Sequence, residues 1–199
     1  MLVAHTADDQ AETVLLNVLR GAATSGLSGM RVRRGHVVRP LLAVRRAELR
    51  ACCEARGLQP LVDPSNEDRA FRRSAVRHDV LPLLARIAAR DLAPVLARQA
   101  EVLGAESDYL DALAGAAWPD TDPPHAAALL ALHPVLARRA VRCWLGMPPP
   151  SSGDVARVLA VARGDVRAAQ LAGGRTVRRA HGRLMVTETV LRGSASVST

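Results

Sequence analysis

Apolar positions recur along this chain with two different periods. Ala11, Val14, Leu15, Val18 and Leu19 fall at i, i+3, i+4, i+7 and i+8. That spacing predicts an amphipathic helix, ending near Gly21. Ahead of it, Leu2-Val3-Ala4 reads as the end of a buried strand. Residues 21–36, rich in Gly, Ser and Arg, read as a long loop. Val37 to Leu42 predicts a short strand, and Arg45 to Arg56 a helix closed by Gly57. Asp63-Pro64-Ser65-Asn66 reads as a turn, and Arg72 to Ala89 as a helix with Pro82 as an internal irregularity. This alternation is that of a parallel α/β sheet. Residues 91–117 and 125–145 then read as two Ala/Leu-rich helices. A further helix over 154–163 is capped by Ser152 or Ser151. In the tail the period drops to two, predicting strands at 168–171, 176–179 and 184–189, with turns at Gly173-Gly174 and His181-Gly182. The expected organisation is an α/β part over 1–86, a helical segment over 87–150 and a small α/β domain over 151–199.

Composition narrows the class. Of the 199 residues, 49% are hydrophobic, enough for a real core, so wholesale disorder is excluded. The net charge is +8, and all 27 basic residues are Arg. Guanidinium groups grip phosphate with a bidentate fork and suit a nucleic-acid or nucleotide partner. A GC-rich coding sequence gives the same bias. Charge is segmented: 14 Arg face 9 acids over 1–86, and 7 face 2 over 163–199, while the stretch between is slightly acidic. Two basic contact surfaces would look like this. Aromatic residues at 2% argue against base stacking as the main mode of RNA binding. Cys52, Cys53 and Cys143 have no CxxC spacing, which argues against a secreted disulfide framework and a zinc site. The adjacent pair is expected to be buried thiols on a helix. No apolar run is long enough to span a bilayer, and the N-terminus does not read as a signal peptide. A cytoplasmic location is expected.

Two constellations carry chemistry. The first is His5, Asp8, Asp9, Glu12 and Thr13 at a strand-to-helix junction, where ligands sit in open parallel sheets. Asp9 and Glu12, at i and i+3, share one helix face. Such a pair can hold a divalent metal, an ammonium group or a transferable proton. A plain acidic first turn, favoured by the helix dipole, accounts for the spacing equally well. The second is Arg73 and Arg77, at i and i+4. They project together and can neutralise phosphate charge; a solvated Arg face is the commoner explanation.

In order and context these motifs resemble the tRNA(Ile)-lysidine synthetase family of PP-loop ATP pyrophosphatases. The resemblance rests on His5 to Thr13, Leu27-Ser28-Gly29-Met30, Arg39-Pro40-Leu41-Leu42, Val62 to Asn66 and Arg77 to Pro82. It covers residues 1–86 and is looser beyond, where Gly173 to Arg179 is similar to the family's final domain. It implies the C-terminal part of a parallel-sheet PP-loop domain, then a helical segment and a small tRNA-binding domain. The implied activity is adenylation of the wobble cytidine of an isoleucine tRNA by ATP, followed by displacement of AMP by free lysine. Asp9, Glu12, Arg73 and Arg77 would be catalytic. His5, Asp8, Asp63, Ser65, Asn66, Arg175, Arg178 and Arg179 would bind substrate. ATP would be the co-substrate with Mg2+, and no residue is assigned as a resident metal ligand. No membrane partner is implied.

Two departures bear on this. The family's Ser-Gly-Gly-x-Asp-Ser phosphate loop does not occur in this sequence, and Ser74 stands where Asn is usual. A loop of backbone N–H groups at a helix N-terminus is what cradles pyrophosphate. The expectation is therefore an N-terminally truncated synthetase, inactive or weakly active alone, with a missing N-terminal segment or a homodimer partner. Its apolar sheet edge would be exposed. The alternatives are a non-catalytic tRNA-binding remnant and half of a split enzyme. A cytidine-thiolating relative shares the acidic motif, but needs a cysteine pair for an iron–sulfur cluster that Cys52-Cys53 does not match.

Overall fold

The structure, a computed structural model, describes residues 1–59, 71–118 and 123–188. The predicted turn at Asp63, Ser65 and Asn66 lies outside these residues. The chain divides into two compact units, Met1–Ser107 and Asp108–Thr199.

The first unit is built on α1 (Ala7–Leu19), whose Ala7, Ala11 and Val14 are buried. The predicted long loop contains the single-turn helix α2 (Thr24–Leu27) and the strand β1 (Arg33–Arg34), paired antiparallel with β2 (Val37–Val38). The predicted strand 37–42 therefore stops at Val38. Pro40 has no N–H to donate, and the chain turns instead through the bonds Leu42 N–H to Arg39 O and Val44 N–H to Leu41 O. Parallel pairing among the described residues is confined to the bridge between Leu2 and Val38. Met1, Leu2, Val18, Leu19 and Val32 are exposed apolar side chains. Helix α3 spans Arg46–Glu54 and buries no residue, so Cys52 is exposed and Cys53 only partly covered, contrary to the expectation of buried thiols.

Helical structure returns at α4 (Arg72–Ala75), widens to a π-turn over Val76–Val80 and continues as α5 (Leu81–Ala88). The wide turn sits directly before Pro82, whose ring and missing N–H do not fit the regular i to i−4 ladder. The Leu81 N–H accordingly reaches Val76 O, five residues back. Helix α6 (Ala93–Ala117) starts in this unit and runs into the next.

The second unit holds α7 (Ala126–Leu130), α8 (Pro134–Leu145), α9 (Ser152–Arg163) and the antiparallel sheet β3-β4-β5 (Ala168–Gln170, Arg175–Ala180, Arg183–Glu188). The single helix predicted over 125–145 is two, because Pro134 opens a new one with His133 as its cap. Ser151 is the α9 cap, and its hydroxyl accepts from Asp154 N–H. One core joins the helices to the inner face of the sheet. Leu129, Val141, Val158, Val161, Val177 and Leu184 are fully buried in it. Among the described residues no helix is long and apolar enough to cross a membrane.

Candidate active site

The first turn of α1 fixes the acidic residues. Asp9 N–H donates to the Thr6 hydroxyl, and Asp9 Oδ2 accepts from Thr6 N–H and Oγ1, both at 2.8 Å. This reciprocal cap holds the helix start and leaves Asp9 Oδ1 facing outward. Oδ1 accepts from Arg46 at 3.0 Å and Arg73 at 3.1 Å, with the Arg77 guanidinium at 3.6 Å. Glu12, one turn on, has a fully buried side chain. It accepts from Arg73 Nε and Arg77 Nε at 2.7 Å each, and from Arg46 and Arg77 terminal nitrogens at 3.1 Å. Asp8 accepts from Arg46 N–H at 2.7 Å and from Arg45 at 2.9 and 3.2 Å. Arg45 also pairs with Asp91. His5 stands to one side, where its Nδ1 accepts from Arg39 Nε at 3.2 Å.

Asp8, Asp9, Glu12, Arg73 and Arg77 are thus brought together. Arg73 and Arg77 project together as their spacing predicts, but onto Glu12. The spacing reading missed Arg45, Arg46 and Asp91. A signal existed for the first two: a cation at a helix N-terminus opposes the dipole unless an acid faces it. The motif Leu27-Ser28-Gly29-Met30 has a structural role. Gln10 Nε2 donates to Met30 O at 2.9 Å, and Met30 N–H donates to Gln10 Oε1 at 2.8 Å. Gly29 lies between them at φ +60°, where a Cβ would come within 2.7 Å of Gln10 Oε1.

Burial pushes all three carboxyls up. The hydrogen bonds and charges of Arg45 and Arg46 on Asp8, of Thr6, Arg46 and Arg73 on Asp9, and of Arg77, Arg73 and Arg46 on Glu12 outweigh it. The net direction for each is downward, so the triad stays ionised. In turn, the hydrogen bond to Glu12 pushes the Arg77 pKa up.

A cleft of about 240 Å³ opens beside the cluster. Asp8, Glu12, Asp91, Arg45, Arg46 and Arg77 form its polar wall, and Leu81, Pro82, Ala85 and Leu92 its apolar wall. Pockets for drug-sized ligands run from roughly 300 to 1,000 Å³, so this cleft is a small one. A magnesium ion does not fit the carboxylates as they stand, since guanidinium groups already occupy Asp9 and Glu12. Among the described residues no cluster of His, Cys, Asp or Glu is arranged to hold a metal ion.

In the second unit, β4 alternates. Arg175, Val177 and Arg179 share the inner face with the core, and Arg178 is on the outer face. Arg175 donates to Leu145 O at the end of α8 at 2.9 Å, and Arg179 to Ala162 O near the end of α9 at 2.7 Å. Both neutralise helix C-termini. Arg178 is exposed.

Comparison with known proteins agrees with the motifs. Residues 1–84 match the PP-loop domain family, and residues 125–185 match the TilS substrate binding domain. A tRNA(Ile)-lysidine synthase of Salinispora tropica is 40% identical over 92% of this chain and 60% of its own length. One from Salinispora arenicola is 38% identical over 94% and 61%. One from Mycobacterium tuberculosis is 41% identical over 73% and 47%. The chain thus spans about 60% of the length of the first two relatives.

Proposed function

We propose that this chain belongs to the tRNA(Ile)-lysidine synthase family and serves the ATP-dependent ligation of free lysine to the wobble cytidine of an isoleucine tRNA. In that reaction the cytidine 2-oxygen attacks the α-phosphorus of ATP and releases pyrophosphate. The lysine side-chain amine then attacks C2, and AMP leaves with the oxygen. The three-part division at 1–86, 87–150 and 151–199 is part of the proposal; the match of 1–84 to the PP-loop domain supports its first boundary.

The cleft beside the arginine-clamped acid triad carries this reading. A long aliphatic stem can lie along Leu81, Pro82, Ala85 and Leu92, while the part-exposed Asp8 and Asp91 offer carboxylates to ammonium groups. Arg45 and Arg46, which line the same cleft, would meet the amino-acid carboxylate. Arg73, whose side chain is 41% exposed, is the member of the cluster most open to a phosphate or to the tRNA. Asp9 sets the helix start and orients Arg46 and Arg73. His5 orients Arg39. Asp63, Ser65 and Asn66 would order the neighbouring loop, and Arg175, Arg178 and Arg179 would belong to the tRNA-binding domain.

The test uses the protein purified from its own cells, incubated with an isoleucine tRNA transcript, ATP and lysine. Mass spectrometry of the digested nucleosides should show lysidine, dependent on ATP and matched by AMP release. Binding of the tRNA without lysidine would refute the enzymatic reading. It would select a tRNA-binding module instead, a reading favoured by one observation: arginines already occupy the carboxylates of Asp9 and Glu12.

A further inference from the structure

The thiols of this chain are not equivalent. Desolvation and the Asp111 carboxylate push the Cys143 thiol up, away from its reactive ionised form. Cys52 and Cys53 stand side by side on α3, a helix that buries no residue. Cys52 is exposed and Cys53 partly covered. The Arg56 guanidinium, one turn on, donates to Cys52 Sγ. Exposed thiols beside a cation are the ones that exchange with disulfides. The function proposed above uses neither of the two.

The helix closes on this pair. Cys53 O accepts from Arg56 N–H at 3.0 Å and from Leu58 N–H at 2.9 Å, and Glu54 O accepts from Gly57 N–H at 3.0 Å. Gly57 sits at φ +67°, the left-handed residue with which such a helix end finishes. Adjacent helical positions face directions about 100° apart, so side chains at i and i+1 do not meet. A bond between two sulfurs needs Cβ atoms roughly 3.5–4.5 Å apart. The pair is therefore held open while residues 52 and 53 are helical, and closing it breaks the bonds that Cys53 O accepts.

We infer that Cys52 and Cys53 form a reversible redox site, oxidised by a low-molecular-weight disulfide to a bond between adjacent residues that opens the end of α3. Cys52 Sγ, having lost its proton, attacks one sulfur of the small disulfide. That S–S bond breaks, one small thiolate leaves, and a mixed disulfide forms. Cys53 Sγ, also deprotonated, then attacks Cys52 Sγ and expels the second small thiolate. The two leaving thiolates take up the two protons, so two protein thiols are oxidised and one small disulfide is reduced. A strained, exposed disulfide is readily reduced again, which makes the bond a transient sensor and not a staple. Its effect reaches the acid cluster through α3 itself. Arg45 and Arg46, at the start of that helix, hold Asp8, Asp9 and Glu12.

The test treats the full chain with oxidised glutathione and follows it by intact mass, peptide mapping and hydrogen exchange. The unsubstituted chain should lose the thiol hydrogens of Cys52 and Cys53 and keep Cys143 as a thiol. Exchange at the Arg56 and Leu58 amides should rise about tenfold or more on oxidation and return with reductant. Cys53→Ser should stop at the mixed disulfide on Cys52. Cys52→Ser should form an adduct about tenfold more slowly. Adduct formation unchanged in Cys52→Ser would overturn the inference, as would Cys143 reacting as fast as Cys52. A mixed disulfide that never resolves in the unsubstituted chain would overturn it too. So would a closed pair with unchanged exchange at those amides, by showing that α3 does not open. None of these outcomes touches the ligase reading.

Discussion

Glu12 is fully buried and would be costly as a bare charge, yet guanidinium groups from Arg46, Arg73 and Arg77 surround it. Removing one partner from a buried pair costs about 3–5 kcal/mol. Here the three arginine side chains are 24–41% exposed and recover water when the carboxylate goes, so roughly 2 kcal/mol is expected for Glu12→Gln. The pH dependence follows from the same contacts. Asp8, Asp9 and Glu12 are held below their ordinary 3.8, 3.8 and 4.5. Groups with depressed folded pKa values stabilise fully above the ordinary range and lose that effect as pH falls through the folded values. Hydrogen-exchange protection of the α1 amides should therefore be flat from about pH 7 to 5 and fall below about pH 4. Asp9→Asn should remove part of that fall; an unchanged profile would contradict the role of Asp9.

At the scale of elements, sequence spacing anticipated α1, α9 and the three-stranded tail, because each is set by local period and punctuation. It overran where a proline decided the outcome. Pro40 ended a strand at Val38, and Pro134 split one expected helix into two. Before Pro82 the helix widened instead of stopping. The acid pair was legible as a helix face, whereas Arg45 and Arg46 come from a helix more than thirty residues away, and no local period reports such a meeting. Gly29 shows the same limit. Its motif was visible, but its cause is Gln10, on another element. Gly29→Ala should cost about 1–2 kcal/mol for the left-handed backbone alone, more if Gln10 must move. The melting temperature of the purified variant reads this, and a value equal to that of the unsubstituted chain would contradict the clamp.

The whole molecule joins two units of different character. The first buries mainly small side chains, such as Ala7, Ala11, Ala93 and Ala100, around a polar cluster. The second has a continuous apolar core from Ala114 to Leu184, so its helices and small sheet form one packed body. Segmental charge was legible in composition. How each arginine is used was not, because that depends on which strand face meets a helix end. Arg175 and Arg179 turn inward and Arg178 outward by the alternation of β4 alone.

On the proposed reading the clamped acid cluster is the ligation site. The decisive variant is Glu12→Gln, assayed for lysine incorporation into tRNA beside tRNA affinity and far-UV circular dichroism. The prediction is a loss of about 100-fold or more in product formation, with tRNA affinity within about twofold, since phosphate contacts carry it, and an unchanged helical spectrum. Turnover equal to that of the unsubstituted protein, with the variant folded and tRNA bound, would contradict the claim.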